Sequence, residues 1–512
     1  MTGQRDTSRT RVLALAVPAA AALLYALGHL TWYLGTPLGR VPVLDERENL
    51  DLAAAIAAGT VEHAPFYRAP GYALLLALFR LAGLPGPALF PAALLLGVFL
   101  HAANTLLVSL LSRRWFGPGP GLLAGLLFGL DPVMVHYATQ ALDATLSLSL
   151  FLAGLSLLFR SLAQPGGQAG WAGASVLWSA AAAVRPNFLL PWVALWPAAL
   201  ALPGARLRRL AAALAGVLVL GAMALWQAGV TGTAGVTPWQ GPYNLWAANR
   251  PGANGRYYTQ HMSLPPEVAR GNPARAESII LYQAEHEGRK AGIAEMNAFW
   301  RAKFVDEVTH HTGRWTALML RKAYALLNNF EQYNNKTFAF HKALSPWLWW
   351  NPICWGLLLI LGTAGAARLA SERPLQAVVL AWVAASVAAS VVLFFVSARF
   401  RLPLAAILAA LSGGCAGSYE CWASWGRGAR MALALALAGA AALAFSRAGG
   451  VADKSTFVQD HALLARAAYT VGDDSLALRE AEEALKLQPW HPDALAIAKA
   501  AREELAGKPA TP

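Results

Sequence analysis

The sequence predicts an all-α fold: a polytopic membrane helix bundle with a large outer-face loop region and a small helical-repeat tail. Three observations carry this. Hydrophobic residues make up 56% of the 512 residues and charged ones only 13%, against about 25% charged in an ordinary soluble domain. Apolar runs about as long as a bilayer requires recur along the chain. Basic residues collect at alternate ends of those runs, as in proteins that orient by positive charge on the cytoplasmic side. The net charge of +13 is thereby a matter of topology, and no nucleic-acid partner is expected.

In chain order, a polar leader with Arg5, Arg9 and Arg11 precedes an apolar run over 12–34. Its length and the spans that follow favour an uncleaved first span over a signal peptide, with the N-terminus cytoplasmic. Further spans are expected at 88–112, 121–137, 144–159, 171–184, 189–202, 210–227, 346–367, 375–397, 402–417 and 431–446, about eleven in all. The stretch 71–83 is too short to cross and suits an interfacial helix. Arg113 and Arg114, Arg160, Arg206, Arg208 and Arg209, Arg368 and Arg373, and Arg427 and Arg430 then fall on the cytoplasmic side.

This divides the chain into a membrane domain over 1–447, with outer loops at 35–87 and 229–345, a linker at 448–456 and a tail at 457–512. The start of the second loop, 237–258, is rich in Gly, Pro and Asn and reads as loop. Residues 274–306 and 314–330 read as helices. In the tail, Leu464, Ala465, Gly472-Asp473, Ala477, Ala484 and Pro489 follow the spacing of a tetratricopeptide repeat. One repeat buries too little surface to stand alone, so the tail is expected to lean on the membrane domain or on a protein partner. Cys354, Cys415 and Cys421 have no metal-site or disulfide spacing and are expected to pack.

The outer face collects the chemistry. Residues 44–72 read LDERENLDLAAAIAAGTVEHAPFYRAPGY, a polar stretch in an apolar chain. Asp45 has two readings. It can be the N-cap of a helix over 46–58, with Glu48 completing a capping box. It can instead be a carboxylate base at the membrane surface, with Glu46 in support. His63, Tyr67 and Arg68 follow in a rigid run suited to an acceptor or to shaping the loop. Asp143 opens a span and can cap it. Arg185, before Pro186, can snorkel. Arg399 and Arg401 lie on the side whose short turns between spans are otherwise poor in arginine, and with Lys322 they suggest an anion such as a phosphate. Lys322 and Glu331 can equally be a solvated helix face, and His310-His311 is expected to be a surface pair. Neither HExxH, CxxC nor a nucleotide-binding glycine loop occurs, so no metal ligands are assigned.

The order of these features resembles the polytopic glycosyltransferases of the type C fold, in the protein O-mannosyltransferase-like branch, glycosyltransferase family 39. The resemblance rests on Asp45-Glu46, the run 65–72, Asp143, Arg185-Pro186, the pattern Arg321-Lys322…Glu331…Asn334-Asn335, and Arg399-Phe400-Arg401-Leu402-Pro403. It covers about residues 12–420. It departs from the branch at 63–68, where the family's His/Pro-rich stretch is reduced. It implies a transferase acting at the outer face of a bacterial inner membrane. The donor would be a polyprenyl-phosphate-linked sugar, and the acceptor a lipid, glycan or protein hydroxyl. Asp45 would be the base, and Asp143, Arg185, Lys322, Arg399 and Arg401 would line the donor phosphate. The resemblance implies no cofactor, because cationic side chains can hold a monophosphate, although a divalent ion stays open. Two other classes compete: an envelope lipid or polysaccharide transporter or polymerase, which favours charges deep within spans, and a membrane-anchored scaffold, which favours several repeats.

Overall fold

The computed structural model describes residues 2–163, 167–260, 262, 272–416 and 419–507. Residues 261 and 263–271 of the expected outer loop, residue 417 of an expected span and residues 508–512 of the expected tail lie outside the described residues. Every regular element among the described residues is a helix. Seven are long and apolar enough to cross a membrane, and a bent pair makes up to eight. The protein is a polytopic helical membrane protein.

Three further expected spans are present as helices but are less apolar or shorter. Gln168–Val184 and Leu189–Ala201 have 17 and 13 residues, fewer than the roughly 20 that cross a bilayer upright. Trp355–Glu372 ends in the charged Arg368 and Glu372. Gln168–Val184 packs against Asp143–Leu162, and Trp355–Glu372 against Ala398–Ser412. Small residues allow close approach in the bundle. A Cβ at Gly97 would lie 2.1 Å from the Ala138 carbonyl oxygen, and one at Gly365 only 1.8 Å from that of Leu411.

The bent pair matters most for the site. Pro118–Gly129 and Pro132–Ala138 meet at 59°. Pro132 cannot donate to the preceding helix, and the Asp131 side chain caps the new one by accepting from the Val133 amide at 2.8 Å. This turns the chain through 139–142 and onto the loop at 35–87, where the Asn49 side chain donates to the Ala141 carbonyl.

In that loop α1 (Asp45–Ala58) stops at Gly59, whose φ of 68° closes a left-handed C-cap. The helix Gly71–Leu81 packs beside it. The long segment expected as the second outer loop holds α2 (Gln240–Asn249), α3 (Pro273–Glu285), α4 (Ile293–His310) and α5 (Thr312–Leu327). Residues 240–249 were expected to be loop. There Tyr243 and Ala247 bury against Trp300 and Tyr282, and burial of that aromatic face outweighs the local Gly and Asn content.

Three helices end the chain: α6 (Phe457–Thr470), α7 (Asp474–Leu487) and α8 (Pro492–Gly507). Their core is nearly all alanine, with Ala465, Ala468, Ala477, Ala481 and Ala501 fully buried. The tail leans on Pro37–Arg40 and on Thr337 and His341. The stretch expected as a linker is stapled down, with Asp453 accepting from Arg256 at 3.1 Å and from the Tyr257 hydroxyl at 2.8 Å.

Candidate active site

Asp45 is the first residue of α1, not its cap. The capping position is Leu44, at φ 51°, and no side chain caps the helix. The capping-box reading therefore fails: the Asp45 and Glu48 carboxylates are turned to cations instead. Asp45 accepts from Arg68 at 2.6 Å and from Arg399 at 2.9 Å. Arg68 also pairs with Glu48, and Arg399 reaches Asp143 at 3.8 Å.

Asp143 does not cap its helix either. Leu142 holds that position, and the Asp143 carboxylate takes two hydrogen bonds from Arg185, at 2.9 and 3.3 Å. Arg185 does not snorkel. It is buried, donates also to the Arg399 carbonyl at 3.3 Å, and stacks on the Phe400 ring at 4.8 Å. Three carboxylates and three guanidiniums, drawn from four distant parts of the sequence, thus form one charge-balanced cluster.

Its openness is uneven. The Asp45, Arg399 and Arg185 side chains are 5–7% exposed, whereas those of Asp143, Arg68 and Glu48 are 24–35% exposed. The polar rim faces outward and the tighter pairs lie beneath it. Burial by itself would raise the Asp45 carboxyl, but the charges of Arg68 and Arg399 outweigh it and hold the group well below the usual carboxylate range. Arg399 keeps a buried Nε without a hydrogen-bond partner.

Glu46 faces another way. It accepts from Lys336 at 3.0 Å and from the backbone amides of Val43 and Ala141, both at 3.3 Å. Burial disfavours the Lys336 ammonium, but the Glu46 carboxylate outweighs this and holds it charged. Lys336 also donates to the Tyr33 hydroxyl at 2.8 Å. Glu46 ties the entry of α1 to the turn at 139–142.

Two residues expected at a phosphate are committed elsewhere. Arg401 pairs with Glu331 at 2.5 Å, donates to the carbonyls of Leu326, Asn328 and Phe330, and stacks over Trp355 at 4.4 Å. No N–H is left for a ligand. Lys322 is fully buried and donates to the Asn249 side chain at 3.1 Å and the Phe394 carbonyl at 2.7 Å. The solvated-face reading of Lys322 and Glu331 fails with it, since both are buried.

Of the remaining candidates, Tyr67 packs edge-on to Trp239 at 4.8 Å, with Arg275 over both rings. The Tyr67 hydroxyl is buried and unpartnered, and burial pushes it above its ordinary range. His63 is exposed near Gly232, apart from the charge cluster. His310 and His311 are exposed, with His310 beside Asp306. Among the described residues no group of three or more His, Cys, Asp or Glu is placed to hold a metal ion. Lys336 carries no local signal of its role, since it follows Asn334-Asn335 in a segment with many other basic residues.

No family model and no curated protein matches the sequence. Among solved structures, the apo oligosaccharyltransferase of Archaeoglobus fulgidus overlaps at a TM-score of 0.48 and 12% identity, over 88% of this chain and 57% of that one. The oligosaccharyltransferase AglB of the same organism, with an inhibitory peptide and a dolichol-phosphate, overlaps at 0.44 and 13%, over 89% and 58%. This chain thus spans less than two thirds of either. At these scores the likeness bears on none of the site assignments.

Proposed function

We propose that this chain is a membrane glycosyltransferase that moves a sugar from a polyprenyl-phosphate donor to an acceptor hydroxyl at the outer, periplasmic face of a bacterial inner membrane. The carrying observation is the buried cluster in which Arg399 stands between Asp45 and Asp143. Charged groups are costly to bury unless they are paired, and a carboxylate perturbed by burial and specific charge partners is a mark of a functional site. The N-terminus lies in the cytoplasm in this reading. Asp45 and the tetratricopeptide-like tail share the outer face, with the chain dividing near 448–456.

The donor phosphate approaches Arg399 and Arg68, with Arg185 and Asp143 holding Arg399 in place. A phosphate that draws those guanidiniums away leaves Asp45 less compensated, and its proton affinity rises. The acceptor oxygen then attacks the anomeric carbon as its proton passes to Asp45. The bond to the phosphate oxygen breaks, and polyprenyl phosphate departs with the electron pair, its charge held by arginine. Direct displacement inverts the anomeric configuration. Tyr67, with its unpartnered hydroxyl, and Trp239 offer an acceptor surface, and His63 belongs to the same loop run. Membrane lipid surrounds the prenyl tail, and the acceptor is a lipid, glycan or protein.

Asp45→Asn tests this reading. It keeps the shape and removes the proton acceptor. With a polyprenyl-phosphate hexose as probe, insertion and donor binding persist while transfer falls ~10²–10⁴-fold, the scale of a lost base. Mass spectrometry of envelope lipids, glycans and proteins from a deletion strain identifies the product. Near-wild-type transfer by Asp45→Asn removes Asp45 as base, and an unchanged envelope in the deletion strain removes the enzyme reading.

A further inference from the structure

The C-terminal tail packs on Pro37–Arg40 and is also tied toward the candidate site by a short strap, residues 331–337. On its far side the strap is held by the tail. The Thr337 amide donates to the fully buried Asp460 carboxylate at 2.8 Å, and the Gln332 side chain donates to the Val451 carbonyl at 3.0 Å. The Thr337 and Thr456 hydroxyls meet at 2.9 Å. On its near side the strap holds the site. Lys336 pairs with Glu46 next to Asp45, and the Gln332 carbonyl accepts from the Ala398 amide at 3.0 Å, one residue before Arg399.

Both arms converge on the Asp45–Arg399 pair. Between them Asn335 turns the strap at φ 61°, in the left-handed region that asparagine enters more readily than most residues. Asp460 fits a clamp better than simple tail packing. Burying a carboxylate is expensive without compensation, and this one spends its Oδ1 on the strap amide and on His341 at 3.1 Å.

We propose that Asp460 is a positioning residue: through the strap, the tail sets the register of Glu46 and Arg399 and with it the geometry of the Asp45–Arg399 pair. The tail is then part of the site and not an independent adaptor. This rests on the transferase reading for its catalytic consequence, but its structural part does not.

The test uses the full-length protein in nanodiscs. Asp460→Leu removes both acceptors, Asp460→Asn keeps one oxygen for the Thr337 amide, and Gln332→Leu cuts the second tie with the tail left docked. Hydrogen exchange is read first. Asp460→Leu is expected to lose protection at 331–341 and also at 44–48 and 398–401, Gln332→Leu to do so more weakly, and Asp460→Asn to stay near wild type. With polyprenyl-phosphate hexose, Asp460→Leu lowers kcat on the order of 10-fold or more at little-changed KM, the signature of displaced groups, and Asp460→Asn restores most of it. Exchange confined to 457–507 with 44–48 unaffected overturns the proposal. If Asp460→Leu does not insert, unchanged protection at 44–48 in Gln332→Leu overturns it equally. Propagated loss of protection in a protein without transferase activity refutes the transferase reading and leaves the clamp standing.

Discussion

Arg399 and Arg401 lie two residues apart on one helix, and each is buried against a carboxylate, yet they anchor opposite kinds of network. Around Arg401 every donor is spent: a carboxylate, three backbone carbonyls and an indole face surround it. Around Arg399 the bonding is divided and incomplete. It serves Asp45 closely and Asp143 at longer range, has an unpartnered Nε, and lies beneath carboxylates and an arginine that touch solvent. A closed network braces a fold, because opening it leaves a buried charge. An open one has capacity that a ligand can take up. The distinction is visible in the completeness of the hydrogen bonds and not in burial or charge, which the two arginines share.

The largest expected effect breaks the closed side. Arg401→Met leaves Glu331 buried and unpaired and is expected to cost ~3–5 kcal/mol of stability, read as thermal or chemical unfolding in detergent. Adding Glu331→Leu should restore most of it, since a buried pair replaced by apolar groups is often neutral. Normal stability in the single variant, with weakened donor binding, would reverse the two roles.

Arg399→Ala gives a smaller effect of another kind. Asp45 keeps Arg68 and Asp143 keeps Arg185, so the fold should tolerate the change. Binding of a polyprenyl-phosphate hexose should weaken by ~1.5–3 kcal/mol, the worth of a hydrogen bond to a charged group. Titration by tryptophan fluorescence separates the cases: full affinity with reduced stability would make Arg399 a second brace.

Much of this was legible in the sequence. Apolar periodicity gave the helical fold, because each span must bury its backbone polarity by itself. The site residues Asp45, Arg68, Asp143, Arg185 and Arg399 stood out as charges in the polar stretch 44–72 or at the ends of apolar runs. What sequence could not resolve was pairing. Asp45 and Asp143 each open a helix, where a cap is the commonest local use of a carboxylate, and only tertiary contact with Arg68, Arg399 and Arg185 decides otherwise. Arg399 and Arg401 are chemically alike and adjacent in pattern, so their split into open and closed networks depends on where Glu331 and three carbonyls fall. The strap to Asp460 joins residues more than a hundred positions apart, and no local periodicity marks it.

Lys322 offers the finest test, because it belongs to neither kind of network. It is the one cation among those expected at the phosphate that has no carboxylate within ion-pair reach, only the Asn249 side chain and the Phe394 carbonyl. Burial pushes its ammonium down from an ordinary 10.5 to about 7. Below about pH 7 the folded and unfolded chains both carry the charge, and the full penalty of burying it applies. Between about 7 and 10.5 the unfolded chain binds a proton that the folded one lacks, so stability rises with pH across that window. Above it both are neutral and the penalty is gone. Lys322→Met should therefore stabilise the protein most near pH 6–7. Its advantage, offset throughout by the two hydrogen bonds lost, should shrink toward pH 10 by at most about 1.4 kcal/mol per pH unit. Unfolding at pH 6, 8 and 10 in parallel with wild type reads the slope. A pH-independent gap would mean that Lys322 stays charged in the fold, and a loss of donor binding below pH 7 in the variant would return it to the phosphate site.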